Sequence, residues 1–282
     1  MDRSSAARRA ASTGPRACNP SVALALAVGT LICSPAGCQE ASSRDADPEA
    51  SANELLIAAN RFLNQEKFSE VPKLSEKAAS LESKSPRVQQ RVGELLYLSG
   101  HAKQSLQYFD RAIELEPELA ARNWQRGLAL ATIGKFAEGA RQFKIHHVVN
   151  PDDVENTAWY FLCVAKSKGV EAAQASIIPS RGDPREPMMS ILAMYRGELD
   201  PAKVIEAAKA NSRTETSRRQ ALMYAQLYIG LYYDSLGKRK EAAKHLKDCM
   251  AYGLRGYMAD TARVYYNDRI AKVKQDDKSP DK

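Results

Sequence analysis

A period of 34 residues constrains this chain more than any other feature of its sequence. Residues of one type recur at that spacing, as the pairs Gly93/Gly127, Gly100/Gly134, Phe109/Phe143 and Pro117/Pro151. A fixed period of this length in a helix-favouring sequence is typical of stacked helical hairpins, which bury their apolar faces against one another. Such arrays present a long surface to other proteins. The period therefore favours a protein-binding function over an enzymatic one.

The repeated positions have distinct physical roles within a hairpin. In segment 86–119 we expect Gly93 to let two helices approach closely and Phe109 to fill the seam between them. Gly100 supplies the unusual dihedral angles of a tight turn, and Pro117 ends the second helix. Segment 120–153 repeats the plan. Segment 223–256 repeats it at a shift of 103 residues, through Gly230, Gly237, Ala242, Leu246 and Cys249.

Other segments match the repeat less well. Segment 52–85 has apolar residues in comparable places but no turn glycine, and 154–178 has a second helix cut short before Pro179. Segment 185–222 adds non-repeat helices, either at a bend or as a contact surface. The pattern resembles the tetratricopeptide repeat (TPR). It predicts an all-α fold over residues 52–272, a TPR-type helical-hairpin solenoid with an irregular helical insertion before the last repeat.

The N-terminal residues have the features of an export signal. Four arginines precede a 12-residue apolar stretch, 22–33, which is shorter than the roughly 20 residues of a transmembrane helix. We interpret residues 1–37 as the signal. Ala36-Gly37-Cys38 resembles the end of a bacterial lipobox, which predicts lipidation at Cys38 and a membrane anchor there; the alternative is simple secretion after cleavage behind Ala36. Residues 38–51 are polar and predict a flexible tether, and residues 273–282 a disordered tail.

Composition and motifs do not favour nucleic-acid binding or a common active site. The formal net charge is +7, of which a net +3 lies in residues 1–37, and the remaining basic residues are dispersed. The sequence contains no zinc-ligand spacing, Walker loop or dinucleotide fingerprint, so we predict no cofactor, metal site or catalytic residue. Asp152-Asp153 after Pro151 indicate a helix N-terminus. His146 is expected to be a partly buried structural residue.

The first helices of stacked hairpins line the concave face of a solenoid, which is where we expect a partner to bind. Trp124 is the strongest candidate anchor, because aromatic residues dominate interface hot spots, although it could equally pack between repeats. The predicted partner-binding groove consists of Arg87, Gln90, Glu94, Tyr97, Trp124, Leu128, Thr132, Leu162 and Lys166. The basic residues that clamp a C-terminal carboxylate are missing there.

Two further groups of residues leave alternatives open. A tyrosine-rich set in the C-terminal region favours packing of a capping hairpin, with a dimer or partner contact as the alternative; it comprises Tyr224, Tyr228, Tyr232, Tyr233, Tyr252, Tyr257, Tyr265 and Tyr266. After cleavage of the leader, Cys163 and Cys249 are either buried small hydrophobes or a disulfide pair.

The order of export signal, Ala-Gly-Cys, tether, repeats and irregular middle resembles the NlpI-type TPR lipoproteins of bacteria, over about residues 40–272. That resemblance implies a homodimeric all-helical protein on the periplasmic face of the outer membrane. It also implies an adaptor that brings peptidoglycan hydrolases to a periplasmic protease. The alternative is a structural subunit of an envelope assembly or secretion complex. A degenerate enzyme acting on cell-wall glycan would need paired carboxylates across a cleft, which no sequence pattern nominates.

Overall fold

The computed structural model describes residues 48–210 and 214–272, and these residues fold into an all-α solenoid of helical hairpins. The leader 1–37, Cys38 and the tail 273–282 lie outside the described residues. The helices are α1 Pro48–Asn64, α2 Val71–Leu81, α3 Pro86–Leu98, α4 Ala102–Leu115, α5 Leu119–Arg122, α6 Trp124–Thr132, α7 Phe136–Val149, α8 Val154–Lys168, α9 Val170–Ala175, α10 Met188–Tyr195, α11 Pro201–Ala210, α12 Glu215–Ser235, α13 Arg239–Ala251 and α14 Tyr257–Tyr265, followed by a π-helical segment Tyr266–Ala271.

The hairpin of α3 and α4 shows how the repeated residues shape the fold. The Ser85 side chain accepts a hydrogen bond from the Val88 amide and caps α3, with proline in the first turn. Gly100 turns the chain with φ of +92°. A Cβ on Gly93 would lie 2.7 Å from the Phe109 ring, so the two helices meet at a distance that only glycine permits. The predicted seam is confirmed.

The other two repeats use the same seam. A Cβ added to Gly127 would lie 2.7 Å from the Phe143 ring, and one added to Gly230 would lie 2.8 Å from Leu246 Cγ. The predicted hairpins at 120–153 and 223–256 are therefore confirmed, with one difference. The first helix of 120–153 is divided into α5 and α6 at Asn123, whose side chain caps α6 by accepting from the Arg126 amide.

The N-terminal hairpin departs from the predicted boundaries. Helix α1 begins at Pro48, so the last residues of the predicted tether are helical. Its turn contains Glu66 with φ of +59°, which takes the left-handed conformation that glycine adopts in the later hairpins. The missing turn glycine therefore did not prevent a hairpin.

The irregular segment before the last repeat forms part of the core. Helix α10 buries Met188, Ile191, Leu192 and Tyr195 against α8 and α12. The Tyr195 hydroxyl donates a hydrogen bond to the Tyr228 carbonyl at 2.9 Å. The buried face of α10 is therefore covered within the chain, which disfavours the contact-surface interpretation for this helix, and the bend stays a prediction.

Helix α14 returns across the inner face of the solenoid and contacts α3, α6 and α12. Its Tyr257 ring stacks on Tyr97 with ring centroids 6.3 Å apart and meets Trp124 edge-on at 4.8 Å. At its other end Tyr265 meets Trp159 edge-on at 5.5 Å. The chain thus fills much of its own concave face. Of the helices within 48–210 and 214–272, none is long and apolar enough to cross a membrane.

Candidate functional site

Four residues of the predicted groove are buried inside the protein. Tyr97, Leu128, Thr132 and Leu162 are each at most 1% exposed, so the prediction that they contact a partner is wrong for this conformation. The Tyr97 hydroxyl lies 3.4 Å from Thr132 Oγ1 beneath α14, and burial raises the pKa of Tyr97 to about 12. These residues are buried because the aromatic rings of α14 cover the face on which we expected a partner to bind.

Four other groove residues remain partly or fully exposed but form hydrogen bonds or ion pairs within the chain: Arg87, Gln90, Glu94 and Lys166. Arg87 pairs with Glu49, and Gln90 accepts a hydrogen bond from Asn123 Nδ2 at 2.7 Å. Glu94 accepts from Arg91 at 2.8 Å and from Gln125 at 3.2 Å.

Lys166 has a structural role in docking the C-terminal helix. It pairs at 2.7 Å with Asp234, which is buried and also accepts a hydrogen bond from the Tyr265 hydroxyl at 2.6 Å. The lysine therefore compensates a carboxylate that holds α14 in place.

Trp124, the ninth predicted groove residue, borders a cavity of about 200 Å³ beside α14, which we call the tryptophan cavity. Both tryptophans of the chain line it. Of its lining residues, Trp124 and Arg185 have partly exposed side chains. The complete lining is Trp124, Leu128, Phe143, His146, Asp153, Glu155, Asn156, Trp159, Arg185 and Met258.

One wall of the tryptophan cavity is a cluster of charged side chains around Arg185. Its guanidinium binds Asp183 at 2.6 Å and Asp153 at 2.8 Å, and it also donates to Glu155. Asp153 caps α8 by accepting from the Glu155 amide at 3.1 Å, as the sequence predicts for a helix N-terminus. The Tyr228 hydroxyl donates a further hydrogen bond to Glu155. Three carboxylates therefore face one guanidinium.

The environment shifts the pKa values of this cluster in opposite directions. Burial raises the pKa of Glu155, although hydrogen bonds from Tyr228 and Arg185 oppose the shift. Burial would also raise the pKa of Asp183, but the hydrogen bonds and charge of Arg185 outweigh it and lower that pKa. The hydrogen bond to Asp183 and the nearby carboxylates raise the pKa of Arg185.

Two residues that line the tryptophan cavity each have a buried polar atom with no hydrogen-bond partner among the described residues. They are Asn156 Oδ1, an acceptor, and Trp159 Nε1, a donor. The Asn156 amide nitrogen donates to the Phe143 carbonyl at 3.1 Å, which fixes the side chain. Unpaired buried polar groups are rare in native proteins and each calls for a partner such as a ligand or water.

His146 adds a further acceptor to the lining. It is 6% exposed, so the predicted burial is confirmed, whereas its structural role stays a prediction. Its Nδ1 lies 2.9 Å from the Ala121 carbonyl, which can only accept, so Nδ1 carries the proton. In the neutral ring, Nε2 is then an acceptor.

The remaining sequence expectations concern tyrosines, cysteines and metals. Tyr228 and Tyr265 are fully buried and the other six tyrosines of the set are partly buried against the core, which favours packing over an open interface. Cys163 and Cys249 are both free and buried, so the disulfide alternative does not hold. Across 48–210 and 214–272, no group of three or more His, Cys, Asp or Glu residues is placed to hold a metal ion.

The sequence singled out Trp124, Leu128, Phe143, His146 and Asp153 but did not indicate the cluster around Arg185 or the other lining residues. Asp183 and Arg185 come from the loop between α9 and α10, about thirty residues from Asp153 and in no recognisable motif. Met258 comes from α14. The cluster could be recognised only from ion pairs between residues that are far apart in sequence, and a single sequence does not reveal such pairs.

Comparison with known proteins adds little to this description. No family model matches the chain. One similar solved structure, "MamA 41-end from Desulfovibrio magneticus RS-1", is 14% identical in sequence and aligns with a TM-score of 0.40. The alignment covers 72% of this chain and 95% of that one. The fold assignment therefore rests on the hairpins themselves.

Proposed function

We propose that this chain is a non-enzymatic, exported scaffold that binds another polypeptide at the tryptophan cavity. The observation that carries the proposal is the pair of unpartnered polar atoms, Asn156 Oδ1 and Trp159 Nε1, which belong to residues that line the same cavity as the partly exposed Trp124. A partner that supplies the missing hydrogen bonds would gain affinity there, since unpaired buried groups carry a desolvation penalty. Tryptophan is also the residue type that most often anchors an interface.

The geometry of the charged cluster supports a binding role over glycan hydrolysis. Asp153 and Glu155 are held by the same guanidinium, that of Arg185, so they lie on one wall of the cavity. Glycosidases use two carboxylates that flank the scissile bond from opposite sides. An arrangement in which one arginine joins both carboxylates suits the recognition of charge.

The cellular setting in this proposal comes from the sequence. The leader 1–37 would export the chain, and lipidation at Cys38 would anchor it at the periplasmic face of the outer membrane. The resemblance to the NlpI-type lipoproteins extends the proposal to a homodimeric adaptor that recruits a periplasmic protease or peptidoglycan hydrolases. Light scattering of the mature protein tests the dimer, which requires twice the chain mass.

Photo-cross-linking from a defined position tests the partner site. The cross-linking residue benzoylphenylalanine replaces Trp124 in the mature protein, and Lys77, an exposed residue of α2, carries it in the control variant. After irradiation in bacterial envelope extract, we expect defined protein adducts at position 124 that are missing at position 77. A protease or hydrolase among them supports the adaptor. The same adducts at both positions, or none at 124, overturn the proposal.

A further inference from the structure

We propose that the tryptophan cavity takes a basic side chain of the partner, a lysine ammonium or an arginine guanidinium, with its hydrocarbon stem against Trp124 and Met258. This inference rests on the proposed function and adds the chemistry of the ligand. Four observations support it: the hydrogen-bonding character of the lining, its charge, its size and its aromatic walls.

The lining contains several acceptors for an incoming donor group. Asn156 Oδ1 is an unpaired acceptor, and His146 Nε2 is an acceptor in the neutral ring. The carboxylates of Asp153 and Glu155 add further lone pairs. An ammonium or guanidinium group carries only donors, so it matches these acceptors, whereas Trp159 Nε1, an unpaired donor, gains no hydrogen bond from it. A carboxylate would instead face two carboxylates of the lining.

The charge of the wall points in the same direction. Asp153, Glu155 and Asp183 surround the single cation Arg185, which leaves an excess of negative charge when all three are ionised. Burial favours the protonated form of Glu155 in the free protein. An incoming cation would favour its ionised form instead, so binding of the basic group and ionisation of Glu155 support each other.

The size and walls of the cavity suit one side chain. Its volume of about 200 Å³ lies below the roughly 300–1,000 Å³ of sites that hold whole small molecules. Phe143, Leu128 and Met258 make the interior apolar, which suits the methylene stem of lysine or arginine. Trp124 is partly exposed at the rim, where an aromatic face attracts a cation.

The two tryptophans provide a direct assay, because they are the only ones in the chain and both line the cavity. Tryptophan emission of the purified mature protein is followed during titration with Nα-acetyl-lysine methylamide and Nα-acetyl-arginine methylamide. The norleucine and glutamate methylamides are the controls. We expect a saturable change with the two basic probes and no saturable change with the controls. An equal response to norleucine would contradict the assignment of charge.

Asp153→Asn is the decisive variant, because asparagine caps a helix as well as aspartate does but removes the negative charge. We expect it to weaken binding of both basic probes at least about fivefold, the effect of losing one partly buried ionic contact. Glu114→Gln, at an exposed residue remote from the cavity lining, is the matched control and should bind as the native protein does. Unchanged binding by Asp153→Asn, with circular dichroism showing a native helix content, overturns the inference.

The outcomes separate this inference from the proposed function. If the protein cross-links a partner through position 124 and excess lysine methylamide does not compete, the ligand chemistry is wrong and the scaffold function stands. If the basic probes bind in the titration but position 124 captures no partner, the site is right and the scaffold function fails.

Discussion

One of the contacts that dock α14 into the concave face is a buried hydrogen bond whose contribution can be measured. The Tyr265 hydroxyl is completely buried and donates to Asp234 at 2.6 Å, and the carboxylate also binds Lys166. Tyr265→Phe removes the donor but keeps the ring that packs edge-on against Trp159. A hydrogen bond to a charged group contributes about 1.5–3 kcal/mol. We expect the free energy of unfolding to fall by that amount.

The adjacent residue provides the control. Tyr266 is partly buried, its hydroxyl makes no hydrogen bond within the described residues, and its ring lies under Lys247. Tyr266→Phe should change the free energy of unfolding by less than about 0.5 kcal/mol. Both variants are compared with the native protein by urea denaturation, with circular dichroism as the signal. If both variants lose the same stability, or neither loses any, the hydrogen bond to Asp234 does not hold α14.

Three further predictions follow from packing and burial. Gly127→Ala places a Cβ 2.7 Å from the Phe143 ring and should lower the free energy of unfolding, measured by urea denaturation, by about 1–3 kcal/mol. Gly182→Ala is the control, because a Cβ there meets open space and should change the free energy of unfolding little. Equal losses in the two variants would contradict the close packing of Gly127 against Phe143. Burial raises the pKa of Glu155 in the folded state, so the folded protein holds this proton more tightly than the unfolded chain does. The free energy of unfolding of the native protein, relative to that of Glu155→Gln, should therefore fall as pH rises above about 4.5. A relative free energy of unfolding that increases with pH would contradict this. Burial raises the pKa of Cys249 to about 12, so mass spectrometry should find iodoacetamide labelling of Cys249 only after unfolding.

Local patterns in the sequence predicted the hairpins well. The contact between Gly93 and Phe109 joins residues 16 positions apart in one hairpin, so a fixed period reveals both partners. The same applies to Gly127 with Phe143. Turn glycines such as Gly100 also follow from local backbone geometry, because a left-handed φ favours glycine.

The 34-residue period could not predict that α14 occupies the concave face. Tyr257 contacts Tyr97 across 160 residues, and nothing in the repeat indicates that a C-terminal helix returns to the first hairpins. The sequence therefore predicted which helices line the groove but treated the groove as open. Arg185 illustrates the same limit, since it lies in an irregular segment and gains its role only from carboxylates about thirty residues away.

Hydrogen exchange of α14 tests most directly the claim that the chain fills its own groove and leaves the tryptophan cavity as the partner site. Exchange of backbone amides in the purified protein, followed by mass spectrometry, gives the opening free energy of each segment. We expect peptides covering 257–265 to exchange as slowly as those covering α8, which lies in the core. Exchange of 257–265 at the rate of an unprotected helix, with α8 still protected, would contradict it. The concave face, including Tyr97 and Thr132, would then be open to a partner.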